Sequence, residues 1–408
     1  MRTIGTKVMG IRTPIIKQGD DLVKIVVESL QKSMETEGFS MHDRDVVGVT
    51  EAVVARAQGN YATVDQIAKD VHTHFPKGTV GVVFPILSRN RFSLLLRGIA
   101  LGAERILVQL DYPADEVGNQ IIDYDSFADS GLNPYSDALT VADFRRHFGA
   151  EVKHRFTGVD YINFYKSLGH NIDVILCSNP QEILKHTDQV IAADIHRRRH
   201  TKRSLEKGGA RVVIGLDDIL TQSVDGSGFN EQYGLLGSNK ASEDTVKLFP
   251  RNCGDFVEKL RDALQRATGR QIEVLVYGDG GFKDPVGGIW ELADPVISPA
   301  FTPGLVGTPN ELKLKYIADN DFAGLEGEEL QEALKEAIRA KERSGRSLVG
   351  KMEAEGTTPR QLTDLLGSLC DLTSGSGDKG TPIILIQGYF DNYATEGGQG
   401  SGPKVRFG

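Results

Sequence analysis

The chain predicts a mixed α/β (α+β) fold, and three observations carry that expectation. From about residue 76 to 205, strand-like apolar runs alternate with amphipathic helical stretches, the order that builds a parallel layer. The run Ile272, Val274, Leu275, Val276 ends abruptly in Gly278-Asp279-Gly280-Gly281, a buried strand opening into a glycine turn. A second apolar strand, TPIILIQ at Thr381 to Gln387, follows another glycine-rich loop near the C-terminus.

The elements follow in order. Residues 1–75 read as strand, turn, helix, strand, helix. Gln18-Gly19-Asp20-Asp21 makes a turn, and Leu22, Ile25, Val26 and Leu30 then form a helical apolar stripe. DVVGVT at Asp45 to Thr50 is a strand. Ala52 to Ala57 continues apolar, and Gly59-Asn60 closes it. Further strands are expected at Thr79–Ile86, Arg105–Leu110, Asp173–Cys177, Gln189–Ile195 and Arg211–Leu216, with helices at Phe92–Ala103 and Val141–Phe148. Residues 230–310 are dense in Gly, Pro, Asn and Asp. Leu330, Ala333, Leu334, Ala337 and Ile338 mark an amphipathic helix. The expected segments are 1–75, 76–205, 206–393 and a glycine-rich flexible tail, 394–408.

Composition excludes several classes. The 408 residues are 39% hydrophobic and 25% charged, ordinary for a globular protein with a sizeable core. A net charge of -9 argues against a general nucleic-acid binder, which needs a basic face. The densest basic run, His196 to His200 with Lys202 and Arg203, reads as a solvated helix face or a patch for an anionic substrate. Cys177, Cys253 and Cys370 lack CxxC spacing and are odd in number, so a disulfide framework or a structural zinc site is not expected. No apolar run approaches the roughly 18 residues of a membrane span, and a reducing cytoplasm is the expected compartment.

The chemistry gathers in a few loops. Asp279 stands at a strand's carboxyl end, with Asp284, Glu291 and Asp294 soon after. Hard cations such as Mg²⁺ take such oxygen ligands, although a Gly- and Asp-rich segment is also what a plain solvated turn requires. Gly375 to Gly380 fits GxGxxG literally, but its order of helix, loop, strand is wrong for a dinucleotide fingerprint. Its amides suit an anion nest, and Asp378 or Lys379 suits a metal or phosphate; a simple connector is the alternative. GRSLVGKM at Gly345 to Met352 resembles a P-loop, yet Met352 replaces the hydroxyl that reaches Mg²⁺. Arg89 and Arg91 follow a strand, where paired guanidinium groups suit carboxylate or phosphate recognition, and ion pairs with Asp111 to Glu116 are expected. His72 and His74 would share a face on a strand, but two histidines are too few for a zinc site.

Several segments together resemble one family. GIRTPIIKQGDDL at Gly10 to Leu22 and DVVGVTEAVVARAQGN at Asp45 to Asn60 resemble the N-terminal signatures of the coenzyme F420-0:γ-glutamyl ligases. GLLGSNKASEDTVKLFP at Gly234 to Pro250, VYGDGG, and SGSGDKGTPIILIQG resemble later pieces of the same family, in the same order. Residues 76–205 then look like an α/β insert in a ligase-like core made by 1–75 and 206–393.

The resemblance implies an enzyme that uses ATP or GTP and Mg²⁺ or Mn²⁺ to join a carboxylate acceptor to glutamate, acting as a homodimer. A carboxyl group is first phosphorylated, and the amine then displaces phosphate. It implies metal ligation by Asp279, to which the carboxylates Asp284 and Asp378 are added as candidates from the loops. Nucleotide contacts are expected from Ser238, Asn239, Gly278, Gly280, Gly375, Gly377 and Lys379. Asp20 and Asp21 match the family's Asp-Asp pair and, with Arg89 and Arg91, are expected at the substrate. Two positions depart from the pattern: Leu236 stands where the family has an acidic metal ligand, and Glu51-Ala52 replaces a lysine-containing stretch. A folate-type acceptor, a Rossmann-type oxidoreductase or transferase, and a non-catalytic homologue are the alternatives.

Overall fold

The structure is a computed structural model that describes residues 3–281, 289–290, 293–354, 360–375 and 378–395. The strands, in chain order, are β1 (Lys7–Ile11), β2 (Val46–Thr50), β3 (Tyr61–Thr63), β4 (Thr79–Val83), β5 (Arg105–Leu110), β6 (Leu139–Thr140) and β7 (Ile172–Leu176). They continue with β8 (Gln189–Ala192), β9 (Val212–Gly215), β10 (Asn239–Lys240), β11 (Thr245–Lys247), β12 (Glu273–Tyr277), β13 (Ala300–Phe301) and β14 (Ile383–Gln387).

The first sheet has the order β1-β14-β2-β12-β13. Its central strands are apolar throughout because both faces are covered. Helices Leu22–Glu37 and Cys253–Thr268 pack on one face, and Leu362–Ser374 on the other. β2 and β12 run parallel, so Thr50 and Tyr277 pair at one edge and the residues after them emerge together. The last strand, β14, lies antiparallel between β1 and β2, which draws the C-terminal segment onto the N-terminal one. Gly48 is small for a reason: a Cβ there would lie 2.5 Å from Cys370 Sγ.

The segment expected as an insert forms a second layer with the order β6-β7-β5-β4-β8-β9, parallel except for edge strand β6. The chain reverses direction across the sheet between β4 and β8, and open α/β layers gather ligands at that point. Helix Phe92–Gly102 is buried along most of its length because Gly98 and Gly102 let it lie against helix Val64–His74. A small third sheet, β10-β11-β3, spans the two parts.

Three expectations need correction. The layer does not end at 205: β9 pairs with β8, so it runs to Gly215. The N-terminal segment contains one more strand, β3, and one more helix, Val64–His74. His72 and His74 therefore lie on a helix, where 3.6 residues per turn set them about 200° apart and not on a shared face. Asp111 and Glu116 do not meet Arg89 or Arg91. Arg197 Nη2 donates to Asp111 at 2.8 Å, and Glu116 accepts the backbone N–H groups of Ile195, His196 and Arg197. The basic run is thus paired in part, with Arg198 on Asp217 at 2.9 Å and Lys202 on Asp218 at 2.6 Å. The tail from residue 396 lies outside the described residues. Among the described residues no helix is long and apolar enough to cross a membrane.

Asp194, just past β8, is fully buried; its Oδ2 accepts from Thr201 Oγ1 at 2.8 Å. Burial, then the charge of Glu116, pushes its carboxyl up to about 7. The folded chain holds that proton where the unfolded chain has already released it. The stabilisation is whole below about pH 4 and lost as pH rises to about 7. Asp194→Asn should remove this part of the slope and be the relatively more stable form at pH 8, by on the order of a few kcal/mol. Thermal unfolding from pH 5 to 8 measures it, and parallel profiles for the two proteins would refute it.

Candidate functional site

The site grows from the carboxyl end of β12. Gly278 donates its N–H to Ile297 O at 2.8 Å, and a Cβ there would sit 2.3 Å from Asp294 Oδ2. The same Asp294 oxygen accepts the backbone N–H of Asp279 at 2.8 Å. The loop is therefore folded around a buried carboxylate.

Arg91 faces both acids. Its Nη2 donates to Asp279 Oδ2 at 2.5 Å and its Nη1 to Asp294 Oδ1 at 2.9 Å. The Arg91 side chain is 16% exposed and that of Asp294 1%. The arginine ends the connection after β4, where its N–H donates to Ser88 Oγ at 3.1 Å, and helix Phe92–Gly102 follows at once. Burial is the largest influence on Asp279 and pushes it up to about 7; the neighbouring charge of Asp294 adds to this, and Arg91 opposes it.

Two further carboxylates complete the cluster. Glu51 emerges from β2 as the first residue of a helix whose cap is Thr50, and both its oxygens accept from Lys247 Nζ, at 2.8 and 2.9 Å. Burial raises the Glu51 carboxyl above its ordinary value while Lys247 pulls it back. Asp371, on helix Leu362–Ser374, accepts the Gly280 N–H at 3.1 Å. Four acids and two bases thus converge from both large layers and the small sheet.

The expected residues divide sharply. Ser238 is buried at 3% exposure, and its Oγ finds no partner among the described residues. With Arg91 it lines a cavity of about 20 Å³, room for about one water, walled by Phe92, Ala193 and Ile195. Asn239 lies opposite Lys247 in the β10–β11 pair. Gly278 and Gly280 keep their place through close approach to the protein itself, since a Cβ on Gly280 would lie 2.7 Å from Ser368 Cα. Gly375 caps helix Leu362–Ser374 at φ 59°. Lys379 opens instead onto a groove of about 1040 Å³ shared with Arg12 and Lys32.

The remaining candidates fall outside the cluster. Arg89 and Asp378 are exposed. Asp20 accepts from the Lys17 N–H at 2.6 Å, and Asp21 caps helix Leu22–Glu37 through the Lys24 N–H at 3.1 Å, so both serve the turn. Asp284 and Gly377 lie outside the described residues. Sequence reasoning missed Lys247 and Asp371. Lys247 left a signal, a lone cation in the apolar run TVKLF.

The expected metal role of Asp279 does not fit this geometry. The donors are of the hard, oxygen type that Mg²⁺ or Mn²⁺ takes. Yet Asp279 and Asp294 each give an oxygen to Arg91, and Glu51 gives both to Lys247. Among the described residues no group of three or more metal-type side chains is arranged to hold an ion. Leu236, where the resemblance leads one to expect an acid, is packed in the apolar core at 1% exposure.

Compared with models of protein families, residues 10–388 match the family described as F420-0:Gamma-glutamyl ligase. The matched span includes residues 76–205 as well as their flanks. A comparison with curated proteins finds no match.

The Glu51–Lys247 pair yields a stability test. Lys247→Met leaves Glu51 buried without its cation, a loss of about 3 kcal/mol at pH 8. The loss should shrink as the pH is lowered to 5, because burial already raises the Glu51 carboxyl and removing its cation raises it further. Adding Glu51→Gln should restore much of the stability and abolish the pH dependence. Denaturant unfolding at both pH values measures this, and equal losses in the single and double variants would show that the pair is not what matters.

Proposed function

The chain belongs to the F420-0:γ-glutamyl ligase family, and on that premise we propose that the Arg91–Asp279–Asp294 centre serves an acid–amino-acid ligase. A carboxylate acceptor, F420-0 or a folate-type acid, is joined to glutamate at the expense of GTP or ATP. The observation that carries this reading is the buried charged cluster at the carboxyl end of β12, with Ser238 and Arg91 facing one small cavity beside it.

Two steps balance. An acceptor carboxylate oxygen attacks the γ-phosphorus, the bond to the β-phosphate oxygen breaks, and the nucleoside diphosphate leaves. The amine of glutamate then attacks the acyl phosphate, a C–N bond forms, phosphate departs and the amine loses a proton. Arg91 uses two donors on Asp279 and Asp294, and a guanidinium has five. Its remaining N–H groups are offered to the phosphoryl oxygens, where fixed donors stabilise developing charge, and the Ser238 hydroxyl lies beside Arg91 in a cavity that has room for about one water. Asp279, titrating at about 7, is suited to take the proton the amine loses. Mg²⁺ or Mn²⁺ is expected only as the counter-ion that the triphosphate brings with it.

A dinucleotide-type oxidoreductase or transferase built on the insert would draw on its strand order. There, however, Glu116 fills the amides before helix Arg198–Lys207, and no glycine fingerprint follows β4 or β5. A cytoplasmic setting agrees with three free, buried cysteines.

Phosphate release with glutamate, GTP or ATP, and a panel of carboxylate acceptors tests the reading. Arg91→Lys should lower kcat/KM by about 100-fold, because lysine cannot hold both acids and a phosphoryl oxygen at once. Arg89→Lys should stay within about twofold, as expected of an exposed side chain. No turnover with any acceptor, or full activity in Arg91→Lys, would sink it.

A further inference from the structure

We propose that Arg91 is the resident cation of this centre: its guanidinium occupies the place between Asp279 and Asp294 where a divalent ion would otherwise sit, so the protein binds no such ion there. The inference stands on geometry and holds whether or not the chain is a ligase.

Three observations lead to it. The first is coordination. One guanidinium gives a separate N–H to Asp279 Oδ2 and to Asp294 Oδ1, and the other Asp294 oxygen is held by the Asp279 N–H. Three of the four carboxylate oxygens are thus already engaged. The second is charge. Arginine stays protonated under all ordinary conditions. A divalent ion placed against the same two carboxylates would meet that charge within a few ångströms, in a partly buried site. Arginine and ion therefore exclude each other. The third is the lack of a further donor at position 236. Leu236 is buried among apolar side chains and brings no oxygen donor.

Arg91 is also held in place from behind. Its N–H is bonded to Ser88 Oγ, Ser93 Oγ donates to Arg89 O at 2.8 Å, and Lys240 N–H donates to Asn90 O at 2.7 Å. The connection that carries the arginine is thereby tied to both neighbouring elements. An ion would have to expel Arg91 from this seat.

Titration of the full chain with Mn²⁺ after chelator treatment tests the idea, with free Mn²⁺ read by electron paramagnetic resonance. Wild type and Asp279→Asn should bind Mn²⁺ indistinguishably. Arg91→Ala should gain one ion at least tenfold tighter than any the wild type holds, and Arg91→Ala/Asp279→Asn should lose it. Arg91→Gln, which keeps the size and part of the hydrogen bonding, is the companion variant, and circular dichroism checks that each is folded. Binding in wild type that disappears in Asp279→Asn overturns the proposal. So does a folded Arg91→Ala or Arg91→Gln that gains no ion. Should both Arg91 variants unfold, the comparison of wild type with Asp279→Asn decides alone. No arm measures turnover, so a failed ligase assay leaves this result untouched.

Discussion

The rest of the structure depends on the neutralisation of buried carboxylates by Arg91. Asp279 and Asp294 belong to the loop after β12, in the first sheet, while Arg91 belongs to the insert. Neither partner could be buried alone at tolerable cost. The ion pairs therefore do two jobs: they permit a charged loop inside the protein and they fix the insert against the sheet that bears it. Lys247 and Glu51 do the same between the small sheet and β2. Two buried bridges, one from each side, hold the centre where the three sheets meet.

The position of the centre follows from strand direction. β2 and β12 are parallel neighbours, so Glu51 and Asp279 must emerge at the same edge. Parallel strands with apolar residues on both faces are stable only when helices cover both sides, and those helices supply Asp371 and the glycine contacts at Ser368. The insert's helix Phe92–Gly102 starts immediately after Arg91, so its packing on helix Val64–His74 sets the reach of the guanidinium. Packing choices far from the charges thus decide their spacing.

Much of this was legible in the sequence, and the reasons differ by element. The strand Arg105–Leu110 and the helix Val141–Phe148 have the bounds their periodicity gave. β3 escaped notice because three residues carry no periodicity, and the helix after it, which carries His72 and His74, escaped with it. Asp279 and Arg91 stood out as chemistry, but their union did not. They are 188 positions apart, and local pattern is silent about such contacts. Arg91 was matched with the acids of the next loop because parallel order brings those edges together. Arg197 had already taken Asp111. The glycines beside Asp279 were read as room for a phosphate, and the structure fills that room with Asp294 and Ser368.

The charge balance of the centre constrains whatever binds there. Glu51, Asp279, Asp294 and Asp371 bring four carboxylates, and Arg91 and Lys247 bring two cations, leaving a deficit of two positive charges when all are ionised. Asp279 titrates at about 7, so a proton there reduces the deficit to one over much of the neutral range. An anion approaching from the acid side meets repulsion. From the side of Ser238 it meets a hydroxyl without a partner among the described residues, and the edge of Arg91 that lines the same cavity. In the proposed ligase a phosphoryl or carboxylate group would therefore be directed to one face of the guanidinium, and any countercharge for a triphosphate would arrive with the triphosphate. In a metal-centred site the ion would serve as both lure and clamp. A fixed guanidinium, a single charge, lacks the strength of a dication but holds a position that never has to be filled from solution.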